Sequence, residues 1–368
     1  MKQVIIELGE KSYPVYIGKG IHSKIADVLK EHRISNQIVI ITDRNVAKHH
    51  LSKFKKQLKT VGNVVNTIVI PAGEKQKSWQ RLQAVLAEIV RLKLSRNAVI
   101  VALGGGVVGD LAGFAAATFR RGIAFVQVPT TLLSQLDSSV GGKVGVNFLE
   151  NKNIIGAFHQ PKFVLSDVEF LKTLPKREII CGIGEMLKYG ILGGEDTFKF
   201  LNSNLNEINK LNLEVVEETI FHCVNIKAKM VSEDEKELFK TGGRVPLNIG
   251  HAVGHALEAL SNYRLHHGEA VLLGLRVETD IANEMGILKE KDYGLITDYL
   301  YRIKFQPDLS YIKLKNIIDY LAAGKGGAKT RFVLPKKIGS VEVTSEVSLS
   351  IIQRLLRKKF SSNNRQIP

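Results

Sequence analysis

Hydrophobic and polar positions alternate in short runs through the first half of the chain and take up a helical period in the second. Residues 4–8 and 13–17 flank the turn-forming Gly9-Glu10-Lys11-Ser12 and predict a hairpin. Four apolar runs follow, at 37–42, 67–70, 98–103 and 124–128, each reading as a buried strand. Between them, residues 78–92 carry Trp79, Leu82, Val85, Leu86 and Ile89 on one helical face. Strands separated by helices of that length predict a parallel sheet with crossover connections. From about Lys172 the pattern is mostly helical: 178–191, 197–210, 213–232, 251–260, 269–284, 291–301 and 313–322, then a strand-like 331–334. With a last strand-like run at 163–166, the boundary falls near Phe170. The expected organisation is an α/β domain over residues 1–170 and a mainly α-helical domain over 171–368.

Composition narrows the classes. A hydrophobic fraction of 44% in 368 residues is ordinary for a folded protein and excludes bulk disorder. The longest apolar stretch, 99–119, contains five glycines and Asp110, so no membrane span is expected. The opening residues run into a strand pattern with an acid inside it, unlike a secretory leader. Cys181 and Cys223 are too few for a disulfide framework or a thiolate zinc site. A soluble, cytoplasmic protein is expected. Lys+Arg 52 against Asp+Glu 36 leaves a net charge of +16, which suits nucleic acid, an acidic surface or a small anionic substrate. Part of the excess is the acid-free stretch 354–368, with Arg354, Arg357, Lys358, Lys359 and Arg365, read as a solvated helix end and a frayed tail.

Three segments carry candidate chemistry. Leu103-Gly-Gly-Gly-Val-Val-Gly-Asp110 follows a buried strand and opens a helix-like 111–119, so Gly104, Gly106 and Gly109 fit the dinucleotide-binding pattern in its required context. The usual ribose-binding acid is missing after the next strand, which ends in Gln127-Val-Pro129; Asp43, at the end of run 37–42, is the candidate instead. The following 128–143 is dense in hydroxyls. Thr130 and Thr131 suit a cofactor there, and Asp137 and Lys143 are opposite charges in an apolar loop, used or paired with each other. The third segment places His251 and His255 four residues apart on a helix, followed by His266-His267-Gly268. Spacing makes His251 and His255 a ligand pair and leaves His266 and His267 undecided. Glu185 and Lys188, one turn apart in an apolar helix, supply a carboxylate ligand or a plain helix ion pair.

Together these stretches resemble the 3-dehydroquinate synthases, sugar-phosphate cyclases that use NAD and zinc. The resemblance is carried, in the family's order, by LGGGVVGDLAGFAAATFRRGI, QVPTTLLSQLDSSVGGKVGVN, KNIIGAFHQP, GEMLKYG, NIGHAVGHALEA and HGEAV. It implies a Rossmann-like NAD-binding domain, a helical metal- and substrate-binding domain, and an active site in the cleft between them. It revises the ligand set to Glu185, His251 and His267, with His255 facing the substrate. Other substrate positions implied are Asp137, Lys143, Lys152, Asn153, Lys188, Lys227, Arg244, Asn248 and, from a neighbouring subunit, Arg121. For NAD it implies Asp43, Asn45, Glu74, Lys77, Gly105, Gly106, Asp110, Thr130, Thr131 and Thr173, with Lys143 and Lys152 shared. The implied reaction converts 3-deoxy-D-arabino-heptulosonate 7-phosphate to 3-dehydroquinate and phosphate, on the shikimate route to aromatic amino acids. A homodimer is implied, with Zn2+ or Co2+ as the metal and neither nucleic acid nor membrane as partner.

Two segments depart from the family's pattern. The stretch from Glu237 to Arg244 is longer than the usual form, and Gly324 and Gly326 stand where the family carries charged residues. Lys325 is the candidate phosphate-contacting lysine, with Lys329 as runner-up. Another sugar-phosphate cyclase, a metal-dependent polyol dehydrogenase and a nucleic-acid binder are the competing readings. The intact DSSVGGKVGVN run with Arg244, the number of phosphate-binding cations, and the lack of a basic binding module argue against them in turn.

Overall fold

The computed structural model describes residues 1–34, 37–59, 64–149, 151–262, 264–324 and 329–362. Contacts divide the chain into two units, Met1–Ile179 with Lys210–Lys236, and Ile180–Asn209 with Glu237–Pro368. The grouping follows packing, so the chain enters the second unit, returns to the first and leaves it again.

The first unit begins with β1 (Lys2–Ile6), β2 (Tyr13–Gly18), α1 (Ile25–Glu31) and β3 (Gln37–Asp43). A continuous helical run follows: α2 (Arg44–Val46), a π turn at Ala47–Leu51, and α3 (Ser52–Lys59). Then come β4 (Val64–Ile70), α4 (Trp79–Arg91), β5 (Val99–Gly104), α5 (Gly106–Thr118), β6 (Ala124–Pro129), β7 (Lys143–Phe148), β8 (Asn151–Phe158) and β9 (Val164–Asp167). Seven strands form one sheet in the order β1-β2-β9-β6-β5-β3-β4, with β1 antiparallel to β2 and the other pairings parallel. Alternation along the strands sorts the core into two layers. Val39, Ile41, Ile100 and Ala102 pack with Leu82, Val85 and Ile89 of α4 and Leu111, Ala112 and Ala115 of α5. Their neighbours Ile38, Ile40, Val99, Val101 and Leu103 pack with Ile25, Val28 and Leu29 of α1 and Phe54 and Leu58 of α3. That is the doubly covered parallel sheet expected from the apolar runs.

Helix α6 (Lys176–Leu192) spans the division between the units, α7 (Gly194–Asn209) follows, and α8 (Leu213–Glu233) belongs to the first unit. Lys2 pairs with Glu218 of α8, and the Glu7 N–H donates to Ser232 Oγ at 3.1 Å. The β7–β8 hairpin, Lys143 opposite Phe158, was not among the expected strands, although Val144, Val146 and Phe148 alternate with Lys143, Gly145 and Asn147 along β7.

The second unit comprises α9 (His251–Leu260), α10 (His267–Glu284), α11 (Glu290–Tyr301), α12 (Leu314–Ala323), β10 (Phe332–Lys337), β11 (Ser340–Thr344) and α13 (Leu349–Ser362), with α7 and most of α6. Its helices meet backbone to backbone. A Cβ on Gly274 of α10 would stand 1.9 Å from the Gly250 carbonyl oxygen ahead of α9, and one on Gly184 of α6 would stand 2.0 Å from the Gly268 carbonyl oxygen of α10. Glycine alone permits both approaches. In the C-terminal stretch Arg354, Arg357 and Lys358 of α13 are exposed, as a solvated helix end requires, while Leu356 on the opposite face is fully buried and Arg354 pairs with Glu284; residues 363–368 lie outside the described residues. No described helix is long and apolar enough to cross a membrane.

Candidate active site

The two glycine contacts of the second unit bring side chains of α6, α9 and α10 to one point. Glu185, next to Gly184, is fully buried. Its Oε1 lies 3.0 Å from His267 Nε2 and 3.6 Å from His251 Nε2, and its Oε2 lies 2.5 Å from Lys188 Nζ. Ligating atoms of His251, His255 and His267 all fall within 4.8 Å of one another. His251 Nδ1 donates to the Ile249 carbonyl oxygen at 2.9 Å, and His267 Nδ1 lies 3.2 Å from Glu258 Oε2. Each ring therefore has Nδ1 engaged and turns Nε2 toward the Glu185 carboxylate, the arrangement in which a carbonyl or carboxylate fixes a metal-binding imidazole.

Lone pairs facing a carboxylate repel it unless a cation or a proton lies between them. A proton does so at His267. Burial alone would lower this group, but the hydrogen bonds and charges of Glu185 and Glu258 outweigh it and raise it to about 9. His251 goes the other way, to about 4, because burial, Lys188 and His267 outweigh Glu185. Two imidazole nitrogens and one carboxylate oxygen suit zinc or cobalt. His255 belongs to the same group, its ring centroid 5.1 Å from that of His251 and 5.7 Å from that of His267. His266 lies outside it: its side chain accepts from the Glu269 amide and caps α10, while the Glu269 carboxylate accepts the His266 N–H at 2.8 Å.

In the same unit Lys188 is buried beside Glu185, and Arg244 is buried ahead of the turn Val245–Asn248. Asn248 Nδ2 donates to the Val245 carbonyl oxygen at 3.3 Å and to Glu237 Oε1 at 3.4 Å. Lys325 lies outside the described residues, and Lys329 is exposed.

In the first unit, β5 ends at Gly104 and α5 opens at Gly106, inside the glycine run and ahead of the helix start expected at 111. The first N–H groups of α5 thus point out of the loop, where an anion would be met. A Cβ on Gly105 would stand 2.9 Å from Thr131 Cγ2, and one on Gly106 would stand 3.1 Å from Ser138 Oγ. The carboxyl ends of β3, β5 and β6 come level here, Thr42 opposite Leu103 and Gly104 opposite Pro129. Ligands of parallel sheets bind at that edge. The hydroxyl oxygens of Thr42, Thr130, Ser138 and Ser139 are buried there with no hydrogen-bond partner among the described residues. A shallow glycine cradle with unspent hydroxyls suits the phosphates and ribose of a dinucleotide.

Around this edge the implied cofactor and substrate residues are mostly paired. Asp43 accepts the N–H groups of Asn45 at 2.8 Å and Val46 at 3.1 Å. Buried Lys77 pairs with Asp110, whose carboxyl is still raised by burial against the pull of Lys77. Glu74 Oε1 accepts from Asn147 Nδ2 at 3.0 Å and lies 3.8 Å from Lys152 Nζ. Asn153, at φ 52°, donates its N–H to Asn147 Oδ1 at 2.9 Å. Lys227 of α8 pairs with Asp137 and also donates to the Asp137 carbonyl oxygen at 2.9 Å. Lys143 opens β7 with its side chain exposed. Arg121, at φ 67°, is exposed ahead of Gly122. Thr173 donates to the Phe170 carbonyl oxygen at 3.1 Å and sits 2.8 Å from His50 Nε2. Burial and the neighbouring His49 and His22 depress His50 to about 4, so it is neutral and donates to Thr173.

Residue patterns missed His50, Ser138 and Glu258 as site neighbours. Glu258 carried a signal, since it lies two turns beyond His251 on the same helix face. Ser138 carried a weaker one, since it lies in the hydroxyl-dense run 128–143; His50 carried none, because tertiary packing alone brings it to Thr173.

Two family models match consecutive stretches of the chain: 3-dehydroquinate synthase N-terminal over residues 67–181 and 3-dehydroquinate synthase C-terminal over residues 182–326. A 3-dehydroquinate synthase of Thermoanaerobacter sp. (strain X514) is 43% identical over 348 residues, covering 94% of this chain and 97% of its own. One of Acinetobacter baumannii (strain AYE) is 36% identical over 359 residues, covering 97% and 98%. Among solved structures, a 2-deoxy-scyllo-inosose synthase complexed with carbaglucose-6-phosphate, NAD+ and Co2+ superposes with a TM-score of 0.87 at 25% identity, over 97% of this chain and 100% of its own. An iron-containing alcohol dehydrogenase, at 16% identity and a TM-score of 0.69 over 95% and 97%, shares the fold alone. Matched end to end by such relatives, and by the two models in sequence, the chain belongs to the 3-dehydroquinate synthase family.

Proposed function

We infer that the chain converts 3-deoxy-D-arabino-heptulosonate 7-phosphate to 3-dehydroquinate and phosphate. Relatives of that name at about 40% identity over nearly the whole chain support this reading. The observation that carries it is the convergence of Glu185, His251 and His267 with Lys188 beside them. The relatives named for other carbocycles are more distant, at 25% identity.

The cofactors assigned are NAD and a divalent metal, as in the relatives solved with NAD+ and Co2+ or Zn2+. When bound, NAD accepts and returns a hydride, and the metal polarises the substrate hydroxyl that is transiently oxidised. Glu185, His251 and His267 are assigned as the ligands, with His255 left to face the substrate. Asp43, Asn45, Glu74, Lys77, Gly105, Gly106, Asp110, Thr130, Thr131 and Thr173 are assigned to NAD. In this reading residues 1–170 form the NAD-binding domain, which also lends Asp137, Lys143, Lys152 and Asn153 to the substrate, and residues 171–368 form the metal- and substrate-binding domain, which lends Thr173 to NAD.

The residue roles are those the family resemblance implies, and each suits its side chain's chemistry. Lys143, Lys152, Lys188, Lys227 and Arg244 neutralise a phosphate and a carboxylate, for which a guanidinium offers two parallel donors. Asp137, Asn153 and Asn248 orient the substrate's hydroxyls. His255 holds or moves a proton at the oxidised carbon's hydroxyl. Lys325 contacts the phosphate, and Arg121 reaches the site of a second subunit in a homodimer. A cytoplasmic setting is part of the same reading.

The test is to incubate the purified chain with NAD, zinc and the heptulosonate phosphate, and to follow phosphate and 3-dehydroquinate together. Both products in equal amounts are expected. Zinc bound with no phosphate released overturns the reading.

A further inference from the structure

Helix α10 turns a second carboxyl group toward α9. Glu278 is fully buried and lies one turn beyond Gly274, where the two helix backbones touch. Its Oε2 accepts the Gly250 N–H at 2.7 Å, its Oε1 accepts the Val253 N–H at 3.0 Å, and the Ala252 amide is a third donor. These are the amides that the first turn of a helix leaves without intrahelical partners. Gly250 occupies the capping position in the left-handed conformation, φ 78°, with no side chain to serve them. Glu278 therefore does from another helix what a capping Asp does locally.

The Gly250 N–H belongs to the peptide whose carbonyl is that of Ile249. A peptide is planar, so holding its N–H fixes the direction of its C=O. That carbonyl oxygen is the acceptor for His251 Nδ1 at 2.9 Å. With Nδ1 committed as donor, the lone pair is on Nε2, 3.6 Å from Glu185 Oε1. A hydrogen bond on the N–H also polarises the peptide and makes its carbonyl a better acceptor. The path from Glu278 to His251 is thus two hydrogen bonds in series across one rigid peptide.

We propose that Glu278 is a positioning residue for the metal site, fixing the tautomer and orientation of His251 through the Ile249–Gly250 peptide. The proposal rests on the reading of His251 as a ligand. Neither the spacing nor the family resemblance pointed to Glu278, which sits among the apolar positions of α10.

The test is Zn2+ affinity of the purified full chain, measured by competition with a chromophoric chelator well below the melting temperature. Glu278→Gln puts a donor against a backbone donor, and its zinc Kd should rise about 10-fold or more, the usual cost of losing a partner behind a ligand. The control is Arg276→Met. Arg276 lies on the same helix and is also buried, but its guanidinium caps α11 through the carbonyl oxygens of Leu300, Ile303 and Phe305. That variant should melt earlier with its zinc Kd unchanged. Should Glu278→Gln not fold, Glu278→Asp supplies the same comparison from a milder change, with a rise of a few-fold expected. Wild-type zinc affinity in a folded Glu278 variant overturns the proposal alone. Wild-type zinc affinity in a folded His251→Ala variant overturns the ligand reading, and the proposal with it.

Discussion

The two units handle buried charge by different rules. Near the glycine loop of the first, a buried lysine lies against a carboxylate: Lys77 with Asp110, Lys227 with Asp137. In the second, one fully buried carboxylate, Glu185, faces two imidazoles and a lysine at once. Beside Glu185 the Lys188 ammonium and the His267 proton already supply positive charge, and a metal bound there would take the place of that proton. If the proposed assignments hold, substitutions in the first unit should weaken substrate or cofactor binding and those in the second metal binding, so the two should fail in different assays.

The largest effect is expected where ligands are removed. His267→Ala or Glu185→Ala should leave the chain without stoichiometric zinc and lower phosphate release on the order of 10³-fold, as loss of several kcal/mol of charge stabilisation implies. His255→Ala should keep zinc and still lose turnover. Metal analysis of the three proteins separates the ligand set taken from the resemblance from the one taken from spacing. Zinc lost in His255→Ala and kept in His267→Ala would reverse the assignment.

Next in size, Lys227→Ala leaves Asp137 partly buried without its cation. A stability loss of about 3 kcal/mol is expected in denaturant unfolding, with zinc content unchanged. Loss of zinc in that variant would erase the contrast between the units. Gly105→Ala should be milder: its Cβ meets Thr131 Cγ2 at 2.9 Å, and the NAD Kd should rise about 10-fold while zinc still binds.

The smallest effect concerns pH. His267 is raised to about 9 in the metal-free fold, so its stabilisation is complete below about pH 6.5 and is lost as pH rises through about 9. Zinc must displace that proton, so its affinity should climb over the same window. Calorimetry at several pH values should show the melting temperature gained on adding zinc growing from pH 6.5 to 9. A gain that shrinks over that range would contradict the pairing of His267 with Glu185.

Most of the fold was legible in the sequence, because the buried strands and amphipathic helices of both units announce themselves by period. The β7–β8 hairpin was missed: Val144, Val146 and Phe148 do alternate along β7, but Gly141, Gly142, Gly145 and Gly156 break up the apolar run in which a strand was sought. The glycine loop was legible because it is local: strand, glycines and helix follow each other within one segment. The candidate metal group was not, because its side chains lie on three helices distant in sequence, brought together by close packing at Gly184–Gly268 and Gly250–Gly274. His251 and His255 are equally well spaced as ligands, and the spacing says nothing of Glu185, 66 positions before His251, or of Glu278 behind it. The +16 charge suggested nucleic acid until its cations fell into motif positions. Lys53, Lys55, Lys56 and the tail remain unexplained by the site.

The central claim is that this chain makes 3-dehydroquinate with a metal held by the second unit and NAD held by the first. Its most direct test is a zinc titration of the metal-free chain, with NAD and the heptulosonate phosphate present, following phosphate release. The account predicts no release before zinc is added and a linear rise that ends at one zinc per chain. Release that is full without metal, or absent with one zinc bound per chain, would contradict it.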